Sequence, residues 1–172
     1  MKLKHVIAAA AIAVGGWGTA QATPVALELS LVIDMSGSVD ATEYSRQIVG
    51  YQNAFLDATV QSNILSFAPS GRIVVNVIQF ASNAQEAIGW TSLNDATSIN
   101  SFAAAIGGMA RIGAGVLGTG TDVEDGMRLA INSLNTNQYV GTRRVIDVSG
   151  DGHQNTDPLC TSPGFNGNAV CN

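Results

Sequence analysis

Lysine occurs only at positions 2 and 4 of the 172 residues, cysteine only at 160 and 171, and aromatic residues make up 6%. Each scarcity excludes something. A phosphate-cradling loop of the Walker type needs a lysine after its glycines, and none is available beyond Lys4. Nucleic-acid binding needs clustered Lys and Arg, whereas the chain carries a formal net charge of −5. Two cysteines are too few for a disulfide-built scaffold or a four-cysteine zinc site. A serine hydrolase elbow wants Gly-x-Ser-x-Gly and a histidine; Asp34-Met35-Ser36-Gly37-Ser38 lacks the first glycine. A two-metal hydrolase needs more His and carboxylate ligands than any local cluster supplies. The nineteen glycines follow no three-residue period, which excludes collagen. What the chain does have is a 46% hydrophobic share, ample for a packed core, in a length suited to one domain.

The start reads as a targeting segment. Lys2 and Lys4 precede an apolar run from Val6 to Gly16, and Ala20-Gln21-Ala22 has the small-x-small form of a signal-peptidase site. The run is near ten residues, and a bilayer span needs roughly 20. Cleavage after Ala22 removes both lysines and leaves 150 residues starting at Thr23, with six arginines against thirteen acids, a net −7. The expected destination is the periplasm, the cell surface or the medium. Such an acidic surface repels anionic membranes and nucleic acid. In an oxidising compartment, a Cys160–Cys171 bridge would close a twelve-residue loop in the tail, contributing about 3 kcal/mol in the chain-entropy view; two free thiols are the alternative.

Strand and helix patterns alternate along the rest. Ala26–Ile33 is a mostly apolar run suited to a buried strand. Asp40 with Glu43 three residues on forms a capping-box pattern before a helix spanning Ala41–Asp57, with Tyr44, Ile48, Tyr51 and Phe55 as one apolar stripe. A turn at Pro69-Ser70-Gly71 leads to Arg72–Phe80, rich in β-branched residues, which pairs through Ser82-Asn83 with a shorter strand, Ala84–Trp90. Asn94 or Asp95 caps a helix carrying Ile99, Phe102, Ala103 and Ile106. A glycine-rich loop to Gly120 precedes a helix over Thr121–Leu134, with Val123, Met127, Ala130, Ile131 and Leu134 on one face. Arg143–Ser149 is a further strand, followed by the Gly150-Asp151-Gly152 turn. The order predicts an α/β domain with a doubly wound, mostly parallel sheet and helices on both faces.

In such sheets ligands bind beyond the carboxyl ends of the strands. Three polar clusters lie there or open a helix: Asp34 to Ser38, Gly118 to Asp122, and Ser149 to Gly152. Two carboxylates and three hydroxyls suit a hard divalent cation, since Mg²⁺ wants oxygen ligands, keeps several waters and takes only one or two carboxylates. Hydroxyl ligands leave the ion electron-poor and ready to accept an acidic group from outside.

Asp34-x-Ser36-x-Ser38, Thr121 before a helix, and Asp151-Gly152 after a strand together resemble the metal-ion-dependent adhesion site (MIDAS) of von Willebrand factor type A domains. The strings DMSGSVD and RRVIDVSGDG are still more similar to a secreted bacterial branch of that superfamily with no assigned function. The resemblance runs from about Leu27 to about Asn155. It implies that Ser36, Ser38 and Thr121 bind the metal through their hydroxyls, with Asp34 and Asp151 acting directly or through water. It implies Mg²⁺ as the ion, with Mn²⁺ or Ca²⁺ as alternatives, and a protein partner that supplies Asp or Glu to the open coordination position, with a glycan as the other partner class. The family's sheet has six strands; the patterns here end at the fourth, so the expectation is a C-terminally incomplete domain over 23–155 and a loop-like tail over 156–172.

Every one of these residues has a plainer reading. Asp34, Ser36 and Ser38 fit a capped turn after a strand; Thr121 fits a helix N-cap; Asp151 fits the turn position of an Asp-Gly pair. Asp147, inside a strand, reads as a satisfied buried carboxylate or an arginine's pair. Tyr44, Tyr51, Phe55 and Trp90 read as core or rim packing. Acidic Asp122, Glu124 and Asp125 would oppose an acidic partner. Besides the metal-dependent binding module, two readings stand: a metal-assisted hydrolase using His153, and a structural module whose metal only stabilises loops.

Overall fold

The structure, a computed structural model, describes residues 21–67 and 72–155. Residues 1–20 of the expected leader, the expected turn at Pro69-Ser70-Gly71, and the expected Cys160–Cys171 bridge lie outside the described residues. Nine elements follow in order: β1 (Thr23–Asp34), α1 (Ala41–Leu56), α2 (Ala58–Leu65), β2 (Ile73–Phe80), β3 (Ala84–Leu93), α3 (Ala96–Gly107), α4 (Ala114–Leu117), α5 (Val123–Thr136) and β4 (Tyr139–Ser149).

The four strands form one sheet in the order β3-β2-β1-β4. β1 pairs in parallel with β2 on one side and with β4 on the other, while β3 is antiparallel to β2 as the short Ser82-Asn83 connection requires. The chain therefore leaves β1 towards β2 and later returns on its opposite flank. That reversal beside the carboxyl end of β1 is where an open α/β sheet forms its ligand crevice.

Side-chain alternation assigns the two faces of β1. Leu31 and Ile33 join Ile73, Val75 and Val77 of β2 under α1, α2 and α3, where Tyr44, Ile48, Phe55, Ile64, Ile99, Phe102 and Ile106 complete the larger core. Phe55 and Phe102 meet edge to face with ring centroids 4.9 Å apart, a preferred aromatic geometry. On the opposite face Val32, Ile78 and Phe80 pack under Ala130 of α5.

Several boundaries differ from the sequence expectation. The helix expected over Ala41–Asp57 ends at Leu56, because Asp57 turns extended and caps a second helix, α2, through Thr59 N and Val60 N. The capping box at Asp40 and Glu43 is present, and of Asn94 and Asp95 it is Asp95 that caps α3. The helix expected from Thr121 starts at Val123 with Asp122, not Thr121, as its N-cap. Its buried stripe is Gly126, Ala130 and Leu134, while Met127 and Ile131 are exposed. The stripe turns this way because the helix presses on the sheet at Gly126, where a Cβ would lie 2.9 Å from Val32 and 3.0 Å from Phe80. Asp147 is exposed and accepts a hydrogen bond from Tyr51 Oη at 3.2 Å, so it is neither a buried carboxylate nor paired with an arginine.

Candidate metal centre

The first polar loop begins where β1 ends. Asp34 is 1% exposed, and its Oδ1 accepts from Ser36 N at 2.8 Å, an Asx turn that folds the loop back over the strand end. Ser36 Oγ then lies 3.0 Å from Ser38 Oγ, and Ser38 Oγ donates to Asp151 Oδ1 at 2.9 Å. Residues 113 positions apart in sequence are thus in direct contact. The pairing of Ile33 with Ser149 in the β1–β4 ladder makes this contact, since both polar loops leave the sheet at the same level.

The glycine loop closes the third side. Gly37 N donates to Thr119 O at 2.8 Å. Gly118 adopts φ +79°, a left-handed conformation open to glycine, and a side chain there would also strike Ser82. Beyond it, Gly120 N donates to Ser82 Oγ and Asp122 N to Ala81 O, which ties the loop to the end of β2. Thr121 is 2% exposed. Its N–H donates to Asn155 Oδ1 and its carbonyl accepts from Asn155 N, so the segment after β4 is laced to the start of α5. Gln154 strengthens this lacing by accepting from Glu124 N. Neither Asn155 nor Gln154 stood out in the sequence, because an amide in a polar turn segment carries no motif.

Asp34, Ser36, Ser38 and Asp151 are consequently joined in one contact chain, and Thr121 stands on the adjoining loop, linked to the Asp151 segment through Asn155. Thr119 contributes its backbone. His153 is exposed and makes no hydrogen bond to a described residue. The acidic group beside Thr121 is drawn into the helix start: Asp122 accepts from Asp125 N, and Asp125 pairs with Arg128.

One detail bears on what fits here. Asp34 Oδ2 is buried and has no hydrogen-bond donor among the described residues. A buried carboxylate oxygen without a partner is costly, and a cation would satisfy it. No group of three or more His, Cys, Asp or Glu among the described residues is arranged to hold a metal. A cation in this cleft would therefore depend on the serine and threonine hydroxyls, as hard Mg²⁺ chemistry allows.

The family described as "Protein of unknown function (DUF1194)" matches residues 24–163. The chain belongs to the DUF1194 family. Among curated proteins none matches it in sequence. Of solved structures, proximal thread matrix protein 1 from the mussel byssus is similar at 18% identity and TM-score 0.55, over 80% of this chain and 34% of that one. The PilB minor pilin of Streptococcus sanguinis is similar at 20% identity and TM-score 0.55, over 81% of this chain and 34% of its own. The vWF domain of the type V pili tip protein Mfa5 from Porphyromonas gingivalis aligns at 14% identity and TM-score 0.47, over 71% and 36%. This DUF1194 chain thus spans about a third of the length of these solved chains, and the likeness is one of fold, an α/β sheet with helices on its faces. Among the described residues no helix is long and apolar enough to cross a membrane.

Proposed function

We propose that the protein is an exported, divalent-metal-dependent binding module of adhesion type, whose metal accepts an acidic group from a protein partner. The observation that carries this reading is the orphaned, buried Oδ2 of Asp34 at the foot of the Ser36–Ser38–Asp151 contact chain. Ser36, Ser38 and Thr121 would hold the ion by their hydroxyls, with Asp34 and Asp151 balancing its charge directly or through water; Mg²⁺ is the ion this oxygen set suits best. Bound, the ion supplies a Lewis-acidic position for an outside carboxylate. The leader ending at Ala22 supports export to the periplasm, cell surface or medium. The similarity in fold to a minor pilin and a byssal thread matrix protein agrees with work outside the cell. Among the described residues no contact of His153 favours a hydrolase.

Calorimetric titration with Mg²⁺, and in parallel with Mn²⁺, tests the metal part. Single-site binding that disappears in Asp34→Ala is expected; binding that is absent from the wild type, or unchanged in the variant, contradicts it.

A further inference from the structure

The α3–α4 connection brings an arginine to the candidate metal loop, and the fold holds it there from both sides. Arg111 Nη2 donates to Met35 O and to Ser36 O, each at 3.0 Å, so the guanidinium rests on the backbone that carries Ser36. The neighbours of Arg111 are gripped from the sheet. Gln79, fully buried at the end of β2, donates to Ala110 O at 3.0 Å and accepts from Ile112 N at 2.8 Å. Tyr44 of α1 donates to Met109 O at 2.8 Å. A buried glutamine is costly unless its amide is used, and here it is used to fix the backbone on either side of one arginine.

Among the described residues that arginine forms no direct ion pair; its charge partner is the exposed Asp40 carboxylate, at longer range. The two ion pairs among the described residues are Arg128–Asp125 and Arg144–Glu28. Arg111 is half-buried, and its Nε and Nη1 donate to no described residue. Support for two carbonyls needs only a neutral donor. A charged guanidinium kept there without a direct ion pair among the described residues is matched to an anion that arrives from outside.

We propose that Arg111 is a second, cationic subsite for the partner's acidic group, set beside the metal. This rests on the metal-dependent reading above and sharpens it. One carboxylate would face both the ion and the guanidinium, whose planar fork matches carboxylate geometry. Without the ligand, two cationic centres stand near each other, and removing one of them does not weaken the other.

The test separates these effects by direction. Mg²⁺ affinity is measured by calorimetry for the wild type, Arg111→Gln and Arg111→Lys. Binding of a doubly blocked Gly-Glu-Gly peptide in saturating Mg²⁺ is followed by NMR, with Gly-Gln-Gly as the control. The expected result is that Arg111→Gln binds Mg²⁺ as tightly as the wild type or more tightly, yet binds the glutamate peptide about tenfold more weakly, with Arg111→Lys recovering part of the loss. If Mg²⁺ and peptide affinities fall together, Arg111 only supports the loop and the proposal is overturned. An unchanged peptide affinity in Arg111→Gln also overturns it, as does a wild type that binds Mg²⁺ but not the peptide. A wild type that binds no Mg²⁺ removes the metal reading itself, and this subsite with it.

Discussion

Gly150 crosses so close to Asp34 that a Cβ on it would lie 2.8 Å from Oδ2 and 3.0 Å from the carboxylate's own Cβ. The loop after β4 therefore lies directly against the unpartnered oxygen at the end of β1. Gly150→Ala must push that carboxylate aside, because neither backbone can yield without disturbing the β1–β4 ladder. The expected outcome is a drop in Mg²⁺ affinity of at least about tenfold, some 1.4 kcal/mol, with a far-UV spectrum unchanged from the wild type. Equal affinities for the two proteins would mean that Asp34 takes no part in holding the ion.

Glu28 is another buried acid, and both of its carboxylate oxygens accept hydrogen bonds. Its Oε1 accepts from Gly141 N at 2.5 Å and from Arg144 Nε at 3.3 Å, and its Oε2 accepts from Asn137 Nδ2 at 2.8 Å. It thereby ties β1 to β4 and to the end of α5. Glu28→Gln replaces an acceptor oxygen with an NH₂ facing a donor, so stability should fall by about 2 kcal/mol in urea denaturation. Metal affinity should change little, since Glu28 lies in the middle of β1, six residues before Asp34. A loss below about 0.5 kcal/mol would show that the site relaxes around the amide.

The cap of α3 gives a pH signature away from the cleft. N–H bonding from Ser98, followed by the Ser98 hydroxyl, holds the exposed Asp95 carboxyl below its ordinary value of 3.8. A lowered folded-state value means that the ionised form stabilises the fold. That stabilisation is fully present above the ordinary value and is lost as pH falls through the folded one. Asp95→Asn should therefore melt below the wild type at neutral pH, with the gap closing under acid conditions. Parallel melting curves from neutral pH down to pH 2 check this; a gap that stays constant would mean that the charge on Asp95 is irrelevant to the cap.

The polar ends of the strands were readable because they carry local chemistry. An aspartate and two serines after an apolar run, and an Asp-Gly after another, fall just where β1 and β4 stop. The order of the four strands and the three longer helices follows from hydrophobic period with capping and turn signals, whereas α2 and α4 are not legible that way. What the sequence concealed depends on contacts distant along the chain. Asp57 reads as the end of one helix but caps the next. The buried face of α5 is set by Gly126 meeting Phe80, which no periodicity records. Asp147 reads as buried because strand β4 reads as central, yet its side chain meets Tyr51 in an exposed position. Gln79 and Arg111 carry no motif; only the folded chain sets Gln79 against the backbone on either side of Arg111 and Arg111 against the Met35–Ser36 backbone.

The most direct measurement is the anomalous signal of Mn²⁺ in crystals grown or soaked with that ion. The account predicts one peak at the carboxyl end of β1, within direct coordination reach of Ser36 Oγ and Ser38 Oγ, with Asp34 and Asp151 beside it. No peak there at saturating Mn²⁺, or a peak held by other residues, would contradict it.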